Sequence, residues 1–250
     1  MNKHLSFRSG NPALSSTTFK NLDFLETNRM TLDGTVNKTA ISLLILILAA
    51  SYTFLTENTS LLWFGFIGGF ILALITIFKK EWAPYTVPTY ALLEGLALGG
   101  ISLIYTEIAY TGIVQSAAFL TFSIFGALLF AYKTGFIKAT ENFKLGIFAA
   151  TAGIAIFYLI AMILSFFGND LAIFNPASDG YGGWLSIGFS LFVVVIAALN
   201  LVLDFDFIEE AVENGAPKYM EWYGAFGLLV TLIWLYLEIL RLLAKLQSRD

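Results

Sequence analysis

The chain has 250 residues, of which 58% are hydrophobic, 16% aromatic and only 13% charged, too apolar a composition for a soluble domain of this length. Its net charge of −4 and pI near 5.0 lack the basic footprint of a nucleic-acid-binding surface, so no nucleic-acid partner is expected. There is no cysteine, and the single histidine, His4, stands in a polar stretch. This excludes disulfides, thiol nucleophiles and thiolate metal sites, and neither a metal nor a cofactor is expected.

The informative count is therefore of apolar runs able to cross ~30 Å of hydrocarbon, each needing about 20 residues. Seven are present. The expected fold is an all-α polytopic membrane protein whose principal partner is the lipid bilayer. Residues 1–38 read as a polar cytoplasmic N-terminal tail and 39–250 as a seven-helix transmembrane domain. The tail sets Lys3, Arg8, Lys20, Arg29 and Lys38 against Asp23, Glu26 and Asp33, and lacks the short apolar core and cleavage site of a signal peptide. Its fragment SGNPALSSTTF has the composition of a turn-rich segment or of a disordered one.

Helix one is expected from about Thr39 to Leu55, followed by the short loop ENTS, and helix two from Leu61 to Phe78, closed by Lys79, Lys80 and Glu81. Pro84 and Pro88 open helix three, about Tyr85 to Thr106, because proline is tolerated in a first turn. Helix four spans Thr111 to Tyr132, and the connection KTGFIKATENFK leads to helix five, Leu145 to Phe167. The next loop, GNDLAIFNPASDGYGG, has no basic residue; helix six follows from Trp184 to about Asp206 and helix seven from Trp222 to Ala244.

Basic residues favour the cytoplasmic ends of spans. Here they gather in the tail, after helix two and after helix four, which predicts a cytoplasmic N-terminus. Parity then sends the C-terminus outside, although Arg241, Lys245 and Arg249 would prefer the cytoplasm. Seven full spans are the preferred solution, and six with a re-entrant seventh the alternative.

The polar exceptions within the spans carry the chemical information, since an ionisable group in a bilayer is paired or kept for function. In helix three, Ala91, Gly95 and Gly99 recur every fourth residue, a spacing that lets another helix approach closely. Beside them stands Glu94, which either lines a cation path or is protonated and hydrogen-bonded to a neighbouring helix. In helix six, Asn200 and Asp204 are four apart and share a face, while Asp206 points elsewhere. Asp206, Glu209 and Glu210 read as a solvated helix end, although acids there oppose the helix dipole. In helix seven, Thr231 and Glu238 share a face, and Glu238 stands three residues before Arg241. That glutamate is either one half of a same-helix ion pair or a pore residue. Burial and a nearby second carboxylate both raise a carboxyl pKa, so such a group can report acidity near neutral pH.

NPALSSTTF in the tail, EGLALGGIS in helix three, ALNLVLDFDFIEE in helix six and APKYMEWYGAFGLLVTLIWLYLEILRLL in helix seven together resemble a bacterial branch of the Bax inhibitor family, the transmembrane Bax-inhibitor-motif proteins. The resemblance implies six helices around a central seventh, a bacterial cytoplasmic membrane and, as in studied relatives, a pH-sensitive calcium leak. In that family a carboxylate of helix six pairs with one of helix seven, and the pair's proton opens or shuts the path. Asp204 matches the helix-six position, with Leu203 where relatives carry an aromatic residue. Counting back from Arg241, which matches a family arginine, Thr231 occupies the helix-seven aspartate's position. Glu238, Asp206 and Glu94 are the candidate substitutes for that partner.

The expected function is thus a passive cation pathway, for calcium or another cation, with Asp204 as its buried carboxylate. The competing expectation is a non-transporting regulator that binds other membrane proteins such as proteases, supported by the acidic connection EEAVENGAPKYMEW and the polar tail. An intramembrane aspartyl hydrolase would need aspartates converging from two helices. Helix seven has none, so the chain is not expected to be an enzyme.

Overall fold

A computed structural model describes residues 29–169, 171 and 183–248. The fragment NPALSSTTF, most of the loop before helix six, His4 and Arg249 lie outside them. Among the described residues, seven helices are long and apolar enough to cross a membrane: α1 (Leu32–Thr56), α2 (Ser60–Phe78), α3 (Ala83–Ile108), α4 (Ile113–Lys133), α5 (Glu141–Phe166), α6 (Trp184–Glu213) and α7 (Met220–Gln247). The only extended pairing among the described residues is an antiparallel bridge between Arg29 and Pro217.

Capping chemistry explains where the helices differ from expectation. α1 starts at Leu32 rather than Thr39, because Thr31 acts as its N-cap and its hydroxyl accepts the Gly34 N–H at 3.0 Å. α5 likewise starts at Glu141 rather than Leu145, with Thr140 accepting from Phe143 N–H. α6 continues past Asp206 to Glu213, so Asp206 does not end the helix. Nothing in FIEEAVE breaks it; the stop is Gly215, whose left-handed backbone (φ 68°) lets Gly215 N–H reach the Val212 carbonyl and Ala216 N–H reach that of Ala211. Gly168 closes α5 with the same pair of bonds. Pro88 lies inside α3, one turn later than a helix-opening proline.

Burial differs sharply among the helices. In the most apolar stretch of α7, 61% of residues are buried, against 56% in α6, 50% in α3 and only 11% in α5. The least buried helices expose large apolar side chains, such as Trp63, Phe64 and Phe70 of α2 and Phe119 and Phe130 of α4. Such side chains would be costly against water and are at ease against lipid.

The chain divides into two compact units. Among the described residues the first comprises 29–104 and Asp204–Val230. Within it, α1, α2 and α3 meet backbone to backbone: a Cβ on Gly65 would strike the Leu93 carbonyl, one on Gly95 that of Leu46, and one on Gly99 that of Ala50. The Ala91, Gly95, Gly99 spacing of α3 is therefore a packing seam, as its small residues require. Thr76 of α2 donates to Thr86 of α3 at 2.7 Å, and Tyr90 of α3 meets Phe226 of α7 edge to face at 5.1 Å. The second unit comprises Tyr105–Leu203 and residues 231–248, as far as described. Its core joins Ile147 and Ile154 of α5 to Val193, Ile196 and Leu203 of α6, with Tyr158, Phe189 and Trp234 packed against them.

Candidate functional site: ionisable groups within the spans

Asp204 of α6 is completely buried: the residue is 0% exposed, and its chain neighbours Leu201, Val202, Leu203 and Phe205 are buried as well. The chain on either side of it is thus apolar and buried, a setting in which a carboxyl is kept only with a partner or for a function. Asp206 is half-buried, Glu210 likewise, and Glu209 and Glu213 are exposed. Of Asp206, Glu209 and Glu210, read as a solvated helix end, only Glu209 is exposed, and all three lie within a continuing helix.

Glu94 belongs to the same unit as Asp204 and is half-buried. Its carboxylate lies against Gly69 of α2, where any side chain would collide with it. The acid is accommodated because the facing helix has no side chain at that point.

The other candidates lie in the second unit. Asn200 is 2% exposed, and its amide nitrogen donates to Thr151 of α5 and to its own helix's Ile196 carbonyl, both at 2.8 Å. Thr231 is buried. Glu238, 2% exposed, accepts from Tyr158 OH at 2.8 Å and from Arg241 at 2.9 and 3.0 Å. Arg241 donates to the Tyr158 hydroxyl as well, lies 5.3 Å over that ring, and hydrogen-bonds Tyr105. The same-helix pair read from the sequence is present, and Tyr158 from α5 joins it into a network. Among the described residues no three acidic, histidine or cysteine side chains gather to hold a metal.

Among the described residues, two charges that are 0% exposed escape the sequence reading. Glu221, in the first turn of α7, is 0% exposed. Its Oε1 accepts from Thr31 N–H at 3.1 Å, from Thr31 OH at 2.8 Å and from Lys218 at 2.7 Å, so it seals the N-terminus of α1. Placing an anion there also favours the α1 dipole. Gly34 makes room for the carboxylate. The only hint in the sequence is Lys218 three residues before Glu221, a spacing that looks like surface decoration. Lys245, read as a topological charge of the C-terminal end, is 0% exposed and donates to Ser190 Oγ at 2.9 Å and to the Ser186 carbonyl at 3.4 Å on α6.

Seven apolar helices with ionisable groups enclosed inside them define an integral, polytopic α-helical membrane protein. Within that class the chain belongs to the Bax inhibitor 1 like family, whose family model matches residues 11–248. No curated protein matches the chain.

Proposed function

We propose that this protein is a passive, pH-sensitive pathway for cations, calcium foremost, across a bacterial cytoplasmic membrane, with its N-terminus in the cytoplasm. The observation that carries this reading is the complete burial of Asp204 in an apolar stretch of α6. A carboxyl in that setting changes its charge with its protonation, and a charged oxygen attracts a hard cation where a protonated one does not. Family membership supports the same reading, as does the preference of intramembrane acids for transport paths.

The test is calcium flux into proteoliposomes carrying the full chain, measured across a pH series. Asp204→Asn should abolish the pH dependence, because the amide cannot titrate. An Asp204→Asn protein that conducts with the parent's pH profile would remove the gating role, and a parent without flux would remove the pathway. The second reading, a regulator of other membrane proteins, draws on the exposed acids Glu209 and Glu213. It predicts one stable complex on crosslinking and co-purification, retained by Asp204→Asn.

A further inference from the structure

The Asn200 side chain is held in one orientation. Its nitrogen has two acceptors, Thr151 Oγ1 and the Ile196 carbonyl. Turning the amide over would set its oxygen against the Ile196 carbonyl, acceptor against acceptor. That leaves Asn200 Oδ1 buried and without a hydrogen-bond partner among the described residues.

The surroundings make this oxygen conspicuous. Ile147 and Ile154 flank Thr151 on α5, Ile196 and Leu203 flank Asn200 on α6, and all four belong to the apolar core of the second unit. An unmet amide oxygen in such a place carries a substantial penalty, which a leucine of similar size would avoid. A fixed oxygen with no proton donor among the described residues can stand in for one water of a cation's hydration shell, the other ligands of the about six to eight that calcium takes remaining water or other oxygens. One neutral oxygen binds weakly, which suits conduction, because an ion must leave as readily as it arrives.

We propose that the Asn200 amide oxygen is a coordination point for the permeating cation, and that Thr151 is a positioning residue that aims it. The inference rests on the pathway reading above and adds to it a second oxygen, of a different chemical kind, contributed by the α5–α6 pair. Thr151 acts only through Asn200: its hydroxyl oxygen occupies the amide nitrogen and keeps the carbonyl turned away from it.

The experiment uses the full chain in proteoliposomes, with calcium flux and calcium-over-potassium selectivity as readouts and thermal unfolding as the check on folding. Asn200→Leu should lower calcium flux about tenfold, equivalent to about 1.4 kcal/mol. Thr151→Val should lower it about threefold, the scale of one neutral hydrogen bond, and Thr151→Ser should restore it. Asn200→Asp, which keeps an oxygen and adds charge, should shift selectivity towards calcium. Parental flux and selectivity in both Asn200→Leu and Thr151→Val would overturn the inference. So would changed unfolding with unchanged selectivity in Asn200→Asp, the result for an oxygen that serves only folding. If Asp204→Asn alters transport while the Asn200 and Thr151 variants do not, this inference falls and the pathway stands; if the parent carries no ions, both fall.

Discussion

Replacing Glu221 by alanine removes the acceptor that ties the start of α7 to the start of α1. Two hydrogen bonds from Thr31 converge on the buried Oε1, and bonds to a charged acceptor contribute about 1.5–3 kcal/mol each. The Lys218 contact adds little, since that side chain is 45% exposed and the pair is screened, about 1 kcal/mol or less. Against this stands the relief of the second oxygen, Oε2, which is buried without a hydrogen-bond partner among the described residues. The net loss is about 3 kcal/mol, which for a chain of this size lowers Tm by about 6–12 °C. Glu221→Gln keeps an acceptor without the charge and should lose about half as much. The assay is thermal unfolding of the purified protein in detergent, paired with amide exchange over residues 29–35. A Glu221→Ala protein that melts with the parent and protects those amides equally would refute the assigned role.

The glycines of the helices should separate by sign. Gly95→Ala forces a methyl against the Leu46 carbonyl and should destabilise by about 1–3 kcal/mol, whereas Gly126→Ala in α4 meets nothing within 4 Å and should stabilise by about 0.5–1 kcal/mol; detergent unfolding midpoints decide both. Arg241→Met leaves the Glu238 carboxylate buried without its guanidinium and should cost about 3–5 kcal/mol. The double variant Arg241→Met, Glu238→Leu should recover part of that loss. Additive losses in the double-mutant cycle would show the network to be energetically idle.

Helix number and type were legible because bilayer length and apolar composition constrain them physically, and α3's small-residue seam was legible from spacing alone. Boundaries were less so. α1 and α5 start early through the side-chain oxygens of Thr31 and Thr140, which hydropathy does not register. Asp204 was readable as an enclosed acid because it interrupts an apolar run. Glu221 was not, because its burial comes from Thr31 and Gly34, 190 and 187 positions away in the chain. The same limit hid the interiors reached by Lys245 and Thr151: a lysine near a terminus and a threonine in a span gain their meaning only from the facing helix.

The polar groups of α7 also bear on how the chain is assembled. Glu238, Arg241 and Lys245 find hydrogen-bond partners in Tyr158, Ser186 and Ser190, all synthesised before them. A charged side chain entering the bilayer alone costs about 2.5–3.5 kcal/mol at a helix centre. The last helix is as apolar as α1 and long enough to cross by itself, so what an earlier partner relieves is the charged C-terminal half. That cost is lowered by docking onto α5 and α6 already in place, so the order of synthesis is itself a folding instruction.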